Sequence, residues 1–385
     1  MRTLFLLATL PLFVARVTLA DKVAVGTCQP KLTSFTSIQA AVDSVPPGST
    51  VLVCPGVYPE QVTILRPLTL QGIADGNLNQ VLITVPSDGL AANVTSMSGE
   101  AVAAQVLVQH AGPVNITNIA VDGTGGDQGC ATSGTWLAGI FYGPGSSGAI
   151  NQVRASGQMD GGCGVGIWAE NADGSNQHVN IQGSSVHDVD GAGIFAGSGP
   201  TPTLTANVRD NFVSAPGALG VVLSNVHGEI TGNDVSDALA GIFDLARGVN
   251  VSSNNVTSTA FGVLLLAGGS IESNDIVNSG IAIVLDAAGG NVQSNRITLA
   301  ATAGVEFSCH ASTVAHNTIN DAAIGLSDVP LSFKGSNTFT NTGMMLTGGC
   351  VAAAALTSMQ AASQPAGPSS LSQWRTPANP FGLRP

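Results

Sequence analysis

Three aspartates in the middle of the chain have a spacing that could support acid–base chemistry. Asp160 lies six residues before Gly166 and Asp188 lies five residues before Gly193, so each carboxyl group precedes an equivalent glycine of two successive repeats. Hydrolysis of a glycosidic bond ordinarily uses two carboxyl groups that are ~5–5.5 Å or ~6.5–9.5 Å apart. One interpretation is that Asp160 and Asp188 act as acid and base, with Asp190 beside them. The other is structural, because aspartate in a Gly-rich turn commonly bonds its own backbone.

Asp244 is a separate acidic candidate. It occupies the third place after Gly241, where most other repeats carry an apolar residue and only Asp328 is also acidic. A carboxylate that points inward at this place must be paired, protonated or turned outward. Arg247 is the nearest partner for a structural ion pair, and a catalytic role is the alternative.

Aromatic residues recur two places after the same glycines, although only 4% of the chain is aromatic. They are Phe141, Trp168, Phe195 and Phe243. Because the side chains of a strand alternate, this place points outward if the residue after the glycine points inward. Rings stacked along such a wall would suit the apolar faces of sugars. Alternatively, they pack beneath loops and only close that face.

A short repeat must position these residues. An asparagine followed two residues later by Val, Ile or Phe recurs at intervals of 20 to 22 residues, at Asn211, Asn233, Asn254, Asn274, Asn295, Asn317 and Asn337. Such a unit is too short for a helical hairpin, and its β-branched stretches alternate with turn residues. It therefore predicts one coil of a parallel β-helix, with coils stacked at ~4.8 Å. The asparagines are expected to stack at a bend, where this residue tolerates the left-handed conformation, and to bond one another.

The coils around the candidate residues are longer than the later ones. Gly139, Gly166, Gly193 and Gly220 are each 27 residues apart, whereas later equivalents are 20 to 22 residues apart. The additional residues are rich in Gly, Ser and Asp, and we expect them to form loops on one side of the coils. Loops on a rigid scaffold commonly carry binding groups.

The N-terminal part carries a family resemblance. Residues 36–45 predict a short helix that is capped by Thr36 or Ser37 and stopped by Pro46-Pro47-Gly48. Strands are expected at Thr50–Val53, Gln61–Ile64 and Leu68–Gln71, and the helix should cover the open end of the coil stack. The run SIQAAVDSVPPGSTVLVCPGVYPEQVTI resembles the opening of right-handed parallel β-helix proteins of the pectin-lyase-like superfamily.

The resemblance implies a right-handed coil and a polysaccharide as ligand or substrate, but it identifies no activity. Pectin methylesterases share a motif similar to Gly56-Val-Tyr-Pro-Glu60, whereas the Asn-Thr-Asp, Asp-Asp and Gly-His-Gly signatures of polygalacturonases are absent. Pectate lyases use clustered acids to hold calcium and a basic residue on a neighbouring coil. Arg154 or Arg209, near Asp160, Asp188 and Asp210, would imitate that arrangement. Calcium is therefore expected only if the protein is a lyase, and otherwise neither a cofactor nor a metal site is expected.

The N-terminal segment indicates that the protein is exported. Residues 1–20 are typical of a cleaved signal segment, with Arg2 before an apolar run too short to span a bilayer. Its removal leaves 10 basic and 24 acidic residues, a balance of −14 that disfavours nucleic acid and anionic membranes.

Six cysteines in an exported chain predict disulfides, of which Cys28–Cys54 is the best supported, followed by Cys130–Cys163 and Cys309–Cys350. Residues 351–385 are rich in Ala, Pro and Ser and predict an unpacked tail.

These observations predict an all-β protein, a right-handed parallel β-helix over residues 21–350 with a short N-terminal capping helix. The functional hypothesis is a secreted, periplasmic or cell-surface protein that binds polysaccharide or envelope glycan along the long coils. Cleavage by a hydrolase or lyase mechanism is an extension of that hypothesis. A non-catalytic surface scaffold is the alternative.

Overall fold

The computed structural model describes residues 20–348 except 75, 77–79, 287–288, 308–311, 331–332 and 334. The predicted signal segment up to residue 19, the predicted Cys309–Cys350 pair and the predicted tail lie outside the described residues. Within the described part, no helix combines the length and apolar character needed to cross a bilayer.

The described chain is built almost entirely from short strands. The helices are α1 (Ile38–Ser44) and α2 (Cys130–Ser133). The strands are β1 (Lys22–Val25), β2 (Thr33–Phe35), β3 (Ser49–Val53), β4 (Gly56–Pro59), β5 (Val62–Ile64), β6 (Leu68–Gly72), β7 (Val81–Thr84), β8 (Val94–Thr95), β9 (Ala101–Val108), β10 (Val114–Thr117), β11 (Ala120–Asp122), β12 (Thr135–Tyr142), β13 (Gly148–Asn151), β14 (Arg154–Gln158), β15 (Gly164–Asn171), β16 (Gln177–Gln182), β17 (Ser185–Val189), β18 (Ala192–Ser198), β19 (Leu204–Arg209), β20 (Phe212–Ser214), β21 (Leu219–Ser224), β22 (His227–Thr231), β23 (Asp234–Ser236), β24 (Ala240–Leu245), β25 (Asn250–Ser252), β26 (Asn255–Leu265), β27 (Ser270–Glu272), β28 (Asp275–Leu285), β29 (Asn291–Gln293), β30 (Arg296–Glu306), β31 (Thr313–Ala315), β32 (Thr318–Asn320), β33 (Ile324–Val329), β34 (Thr338–Thr340) and β35 (Met344–Gly348).

The strands form three walls of a right-handed parallel β-helix, which confirms the predicted fold. One wall, here called the ladder sheet, has 13 strands in the order β2-β1-β3-β6-β10-β13-β16-β19-β22-β25-β27-β29-β31. The Gly wall contains β9, β12, β15, β18, β21 and β24 and continues through the C-terminal halves of β26, β28 and β30. The third wall contains β11, β14, β17, β20 and β23 and continues through the N-terminal halves of the same long strands.

The asparagine repeat forms the predicted ladder at the corner between the ladder sheet and the third wall. Nδ2 of Asn233 donates to Oδ1 of Asn254 over 3.0 Å, and Nδ2 of Asn254 donates to Oδ1 of Asn274 over 2.9 Å. The ladder asparagines do not adopt the left-handed conformation themselves. The residue before them does, as at Ser253 (φ 57°) and Ser273 (φ 57°), so this detail of the prediction is wrong.

The capping helix forms as predicted, and the motif that carries the family resemblance holds it. Oγ of Ser37 accepts a hydrogen bond from the Ala40 amide over 3.2 Å at the helix N-terminus. The carboxylate of Glu60 accepts the first two amides of the helix, from Ile38 at 2.9 Å and from Gln39 at 3.0 Å. An acidic side chain stabilises this end of a helix because it satisfies amides that lack helical partners.

The interior of the coil is apolar because the residue after the repeated glycine of each coil points inward. Val221, Ile242 and Val263 are all fully buried in one continuous core. The disulfides Cys28–Cys54 and Cys130–Cys163 are present as predicted. They join successive parts of the stack at its N-terminal end and at the first long coil.

The additional residues of the long coils do not all lie on one side, so that expectation is wrong. Between β14 and β15 they form the turn of residues 159–163, at the corner between the third wall and the Gly wall. In the next two coils they lie after the Gly wall, as residues 172–176 and 199–203. The two locations place different side chains around the Gly wall.

Candidate functional site

The outward rings of the Gly wall form a buried cluster. Trp168 contacts Trp136 with ring centroids 5.6 Å apart, Phe141 at 5.2 Å and Phe195 at 5.6 Å. Phe141, Trp168 and Phe195 are 0%, 3% and 1% exposed, and they belong to a cluster outside the main core. The rings therefore point away from the coil interior, as the alternation predicts, but they are not an exposed sugar platform. Phe243 lies farther along the same wall and is half-buried.

A short hairpin covers part of this cluster. We call residues 94–101 the strap; β8 pairs antiparallel with the start of β9, with Val94 opposite Val102. Val94 and Met97 pack against the ring cluster. The strap places apolar atoms over rings that the coil itself would expose, which explains part of their burial.

A buried glutamate holds the strap to the wall. Glu170 lies two residues after Trp168 on the same outward face and is 1% exposed. Its Oε1 accepts the main-chain N–H of Met97 over 2.8 Å, and its Oε2 accepts Nε1–H of Trp168 over 3.0 Å. Burial raises the pKa of Glu170 to about 8, although both hydrogen bonds oppose the rise. The group is therefore protonated at neutral pH.

Another glutamate, Glu100 on the strap, has a lowered pKa, in contrast to Glu170. Burial opposes ionisation of Glu100, but hydrogen bonds from Ser96 and Ser98 outweigh it and lower the pKa of Glu100. Oγ of Ser96 donates to Oε2 of Glu100 over 2.6 Å. The charge of Glu100 also raises the pKa of Glu170. Two carboxyl groups with pKa values pushed apart are the usual arrangement of a general acid and a general base.

The predicted acids Asp160 and Asp190 are brought together, at the corner where the third wall turns into the Gly wall. Oδ2 of Asp190 accepts the main-chain N–H of Asp160 over 2.7 Å, and its Oδ1 accepts the Gly164 amide over 2.8 Å. Asp160 is 2% exposed and accepts the amides of Gln128 and Cys130, each over 3.1 Å. Both carboxyl groups thus organise turns, which is the structural interpretation of these aspartates.

Sequence analysis missed the partner of Asp160. The exposed Asp127 forms a hydrogen bond with the Asp160 carboxyl group. Burial first, and this hydrogen bond second, raise the pKa of Asp160, while the bond to Asp160 lowers the pKa of Asp127. Of the two carboxyl groups, that of Asp160 is therefore the more easily protonated. The carboxyl groups of Asp127 and Asp160 are hydrogen-bonded to each other. They are therefore closer together than the two catalytic carboxyl groups of a retaining glycosidase, which are ~5–5.5 Å apart.

Asp188 lies apart from this turn. Its side chain is exposed, and its Oδ2 lies 2.7 Å from Nδ1 of the neighbouring His187. The backbone of Asp188 is left-handed (φ 53°), a conformation that aspartate tolerates better than most residues. The structure thus separates Asp188 from the hydrogen-bonded set of Asp160 and Asp190.

Asp244 points into the core, as its sequence position predicts, but not as half of an ion pair. It is fully buried, and its Oδ1 accepts the amide of Ala246 over 2.8 Å, whereas Oδ2 has no hydrogen-bond partner. Burial raises the pKa of Asp244 to about 7. Arg247 is exposed and forms no ion pair with it, so the predicted pairing is wrong.

The two arginines proposed as substrate ligands lie on different walls. Arg209 ends a strand of the ladder sheet and forms an ion pair with Glu229 on the next rung. Arg154 begins β14 in the third wall, where it lies opposite Ser185. Arg154 and Arg209 therefore do not belong to one basic site.

The outward place of Glu170 could have been inferred from the strand alternation that selected Trp168. Nothing in the sequence indicates that Glu100 lies nearby, because the strap belongs to an earlier and irregular coil. Among the described residues, no group of three or more His, Cys, Asp or Glu side chains could hold a metal ion. Calcium binding by a lyase stays a prediction.

Comparison with known proteins places the chain by its fold. No protein-family model and no curated protein sequence matches it. Among solved structures, a GH136 lacto-N-biosidase from Eubacterium ramulus is similar with a TM-score of 0.62 and 12% identity, over 84% of this chain and 68% of that chain.

Two further structures show the same likeness. A family 28 exopolygalacturonase from Yersinia enterocolitica has a TM-score of 0.58 and 12% identity, over 86% of this chain and 77% of that chain. The A-module of a mannuronan C-5 epimerase from Azotobacter vinelandii has a TM-score of 0.50 and 17% identity, over 80% of this chain and 94% of that one. These likenesses confirm the right-handed, pectin-lyase-like β-helix fold that the sequence resembles.

Proposed function

We propose that this protein is a secreted, carbohydrate-active protein that hydrolyses a neutral polysaccharide at the Gly wall. The observation that carries the proposal is the buried carboxyl group of Glu170, which binds Trp168 and the main chain of Met97 on the strap that also carries Glu100. The disulfides agree with an extracellular location. The similar structures include enzymes named for sugars and polysaccharides, which supports a carbohydrate substrate by analogy.

The acid–base roles follow from the two environments. Glu170, protonated at neutral pH, donates its proton to the leaving-group oxygen as the glycosidic C–O bond breaks. Glu100, ionised, accepts a proton from the attacking water, whose oxygen forms the new bond to the sugar carbon. The reaction ends with the two carboxyl groups in exchanged protonation states, and solvent restores them.

Access to Glu170 requires the tip of the strap around Met97 to move away, whereas Glu100 lies directly before β9 and stays at the wall. The strap is held by the Met97–Glu170 hydrogen bond and by packing of Val94 and Met97 on the rings. Displacement would expose Trp168 next to Glu170, and an indole face suits the apolar face of a sugar ring. The acidic balance of the protein, −12 over the whole chain, favours a neutral polysaccharide over a polyuronate.

The test is reducing-end release from a panel of neutral plant and bacterial polysaccharides. We expect new ends with the native protein and a loss of about 10²–10⁴-fold for Glu170→Gln and for Glu100→Gln, the usual contribution of an acid or base. Asp234→Asn, a half-buried acid on the third wall, is the matched control and should keep full activity. Activity in Glu170→Gln equal to that of the native protein would refute the assignment.

The same assay tests the sequence-based assignment of Asp160 and Asp188. If cleavage occurs and only Asp160→Asn and Asp188→Asn abolish it, the catalytic acids are the two aspartates predicted from the sequence, and not Glu170 and Glu100. The alternative function, a non-catalytic surface scaffold, is favoured by one specific observation: the carboxyl groups of Asp160 and Asp190 are used to bind backbone amides. Absence of new ends across the whole panel would support the scaffold.

A further inference from the structure

The outer face of the ladder sheet is a regular polar surface that the candidate site does not use. From β6 to β31, ten strands pair in parallel without a register shift. Their outward side chains form two columns, one from Thr69 to Thr313 and the other from Gln71 to Ala315. None of these side chains is buried. With rungs ~4.8 Å apart, nine intervals give a face of roughly 43 Å.

The chemistry of this face is nearly uniform. Of its 20 positions, nine are Asn or Gln and six are Ser or Thr, so most of the surface is uncharged and able both to donate and to accept hydrogen bonds. The three charged side chains are Arg209, Glu229 and Glu272; the first two form an ion pair, and the third accepts Nδ2 of Asn291 over 3.1 Å. No aromatic or large apolar side chain interrupts either column.

The side chains are partly ordered by one another. Nδ2 of Asn207 donates to Oδ1 of Asn180 over 2.9 Å, and Oγ of Ser270 donates to Oδ1 of Asn250 over 2.9 Å. A primary amide offers two N–H donors and two acceptor lone pairs, so one such bond leaves capacity for a ligand. Ordering before binding lowers the entropy that a ligand must overcome.

A pocket lies at the N-terminal end of the same face. It has a volume of about 380 Å³, within the range of small-ligand sites, and is lined by Lys22, Leu52, Gln71, Thr117 and Gln152 among others. Gln71 and Thr117 also belong to the second column, so the pocket is continuous with the polar face. Leu52 lies opposite Gln71 on the adjacent strand, so the pocket combines an apolar side chain with polar groups, which suits a single sugar ring.

We propose that the outer face of the ladder sheet is a glycan-docking surface that holds a neutral polysaccharide along its rungs, with one sugar unit in the pocket beside Lys22. The uncharged face complements a polymer of hydroxyl groups, which are donors and acceptors as well. The one basic residue of the two columns, Arg209, is paired with Glu229, so the face has no free positive charge for a nucleic acid or a polyuronate. It also lacks the apolar anchors of a stable protein interface. The proposal does not depend on catalysis at Glu170, which lies on another wall.

The experiment is affinity electrophoresis of the full chain through gels that contain xyloglucan, galactomannan, hydroxyethyl cellulose or polygalacturonate. We expect retardation by at least one neutral polymer and none by polygalacturonate. The double variant Asn115→Glu/Asn180→Glu places two charges on the first column and should weaken binding at least about tenfold, or ~1.4 kcal/mol. Thr257→Glu/Thr298→Glu adds the same charge to half-buried places on the third wall and should bind like the native protein.

Two further measurements separate this proposal from the proposed function. Glu170→Gln should keep full retardation even where it loses cleavage, so failure of one proposal is distinguishable from failure of the other. Circular dichroism melting of the Asn115→Glu/Asn180→Glu variant checks that the coil is intact. Equal retardation of this variant and the native protein, retardation by polygalacturonate alone, or no retardation by any neutral polymer would each overturn the docking surface.

Discussion

The main-chain N–H of Met97 donates a hydrogen bond to Oε1 of Glu170 over 2.8 Å, although the two residues are 73 positions apart. This bond joins the strap to the Gly wall and closes the side of the ring cluster that contains Trp168. The acceptor is a buried carboxyl group with a raised pKa, so one side chain carries both the attachment of the strap and the proposed acid chemistry.

The first prediction concerns pH. Burial raises the pKa of Glu170 to about 8, and of Asp244 and Glu306 to about 7, from ordinary values near 4. Between the ordinary and the raised pKa values, these three carboxyl groups are ionised in the unfolded chain but still protonated in the folded chain. The free energy of unfolding should therefore decrease as the pH rises from about 5 to about 8.

Urea unfolding at pH 5, 6.5 and 8 measures this slope, and Glu170→Gln should make it less steep. Asp188→Asn removes an exposed acid and controls for the loss of one charge. A slope unchanged by Glu170→Gln, or stability that increases with pH, would contradict the interpretation of Glu170 as a buried neutral acid.

The second prediction concerns the carboxyl group in the core. Asp244 leaves Oδ2 without a partner, and the equivalent places on the neighbouring coils are Leu223 and Leu265. Asp244→Leu should raise the free energy of unfolding at pH 7.5 by ~1–3 kcal/mol, because it removes an unsatisfied buried polar group. Denaturant titration measures the change. Destabilisation by Asp244→Leu together with a neutral effect of Asp244→Asn would show that the carboxyl group is needed for its shape or its bond to Ala246.

The third prediction concerns the asparagine ladder. Asn254 accepts from Asn233 and donates both to Asn274 and to the carbonyl oxygen of Ile230. Asn254→Ala leaves these buried groups unpaired and should lower the free energy of unfolding by ~2–4 kcal/mol. The adjacent Asn255 is exposed, so Asn255→Ala should cost no more than ~0.5 kcal/mol. Equal effects of the two substitutions in denaturant titrations would mean that the ladder contributes little.

The fourth prediction concerns the corner disulfide. Cys130–Cys163 closes a segment of 33 residues and lies beside the amide that binds Asp160. Replacement of both cysteines by serine should lower the free energy of unfolding by ~3–4 kcal/mol through the larger entropy of the unfolded chain. Thermal melting under non-reducing conditions measures the loss. A variant as stable as the native protein would show that this corner is held by the aspartate hydrogen bonds alone.

The repeat was sufficient to predict the coil, the ladder and the inward residues. Its period makes each coil bury the same places, so Asn254, Val263 and Asp244 could be assigned to a corner or to the core from spacing alone. The opening motif gave the helix at the N-terminal end, and the cysteine positions gave the two described disulfides. Each of these follows from local spacing or from a contact between neighbouring coils.

The use of the side chains was decided only in three dimensions. Alternation places Trp168 and Phe195 outward, but whether such rings are exposed depends on what lies over them, and the strap comes from an irregular coil about 70 residues earlier. The partners of Asp160 are likewise amides from an earlier coil. A periodic sequence by itself determined which way each residue points, because neighbouring coils repeat one geometry. Only the tertiary structure decided which residues contact it there. The loops do not follow the repeat, so its period does not predict where they pack.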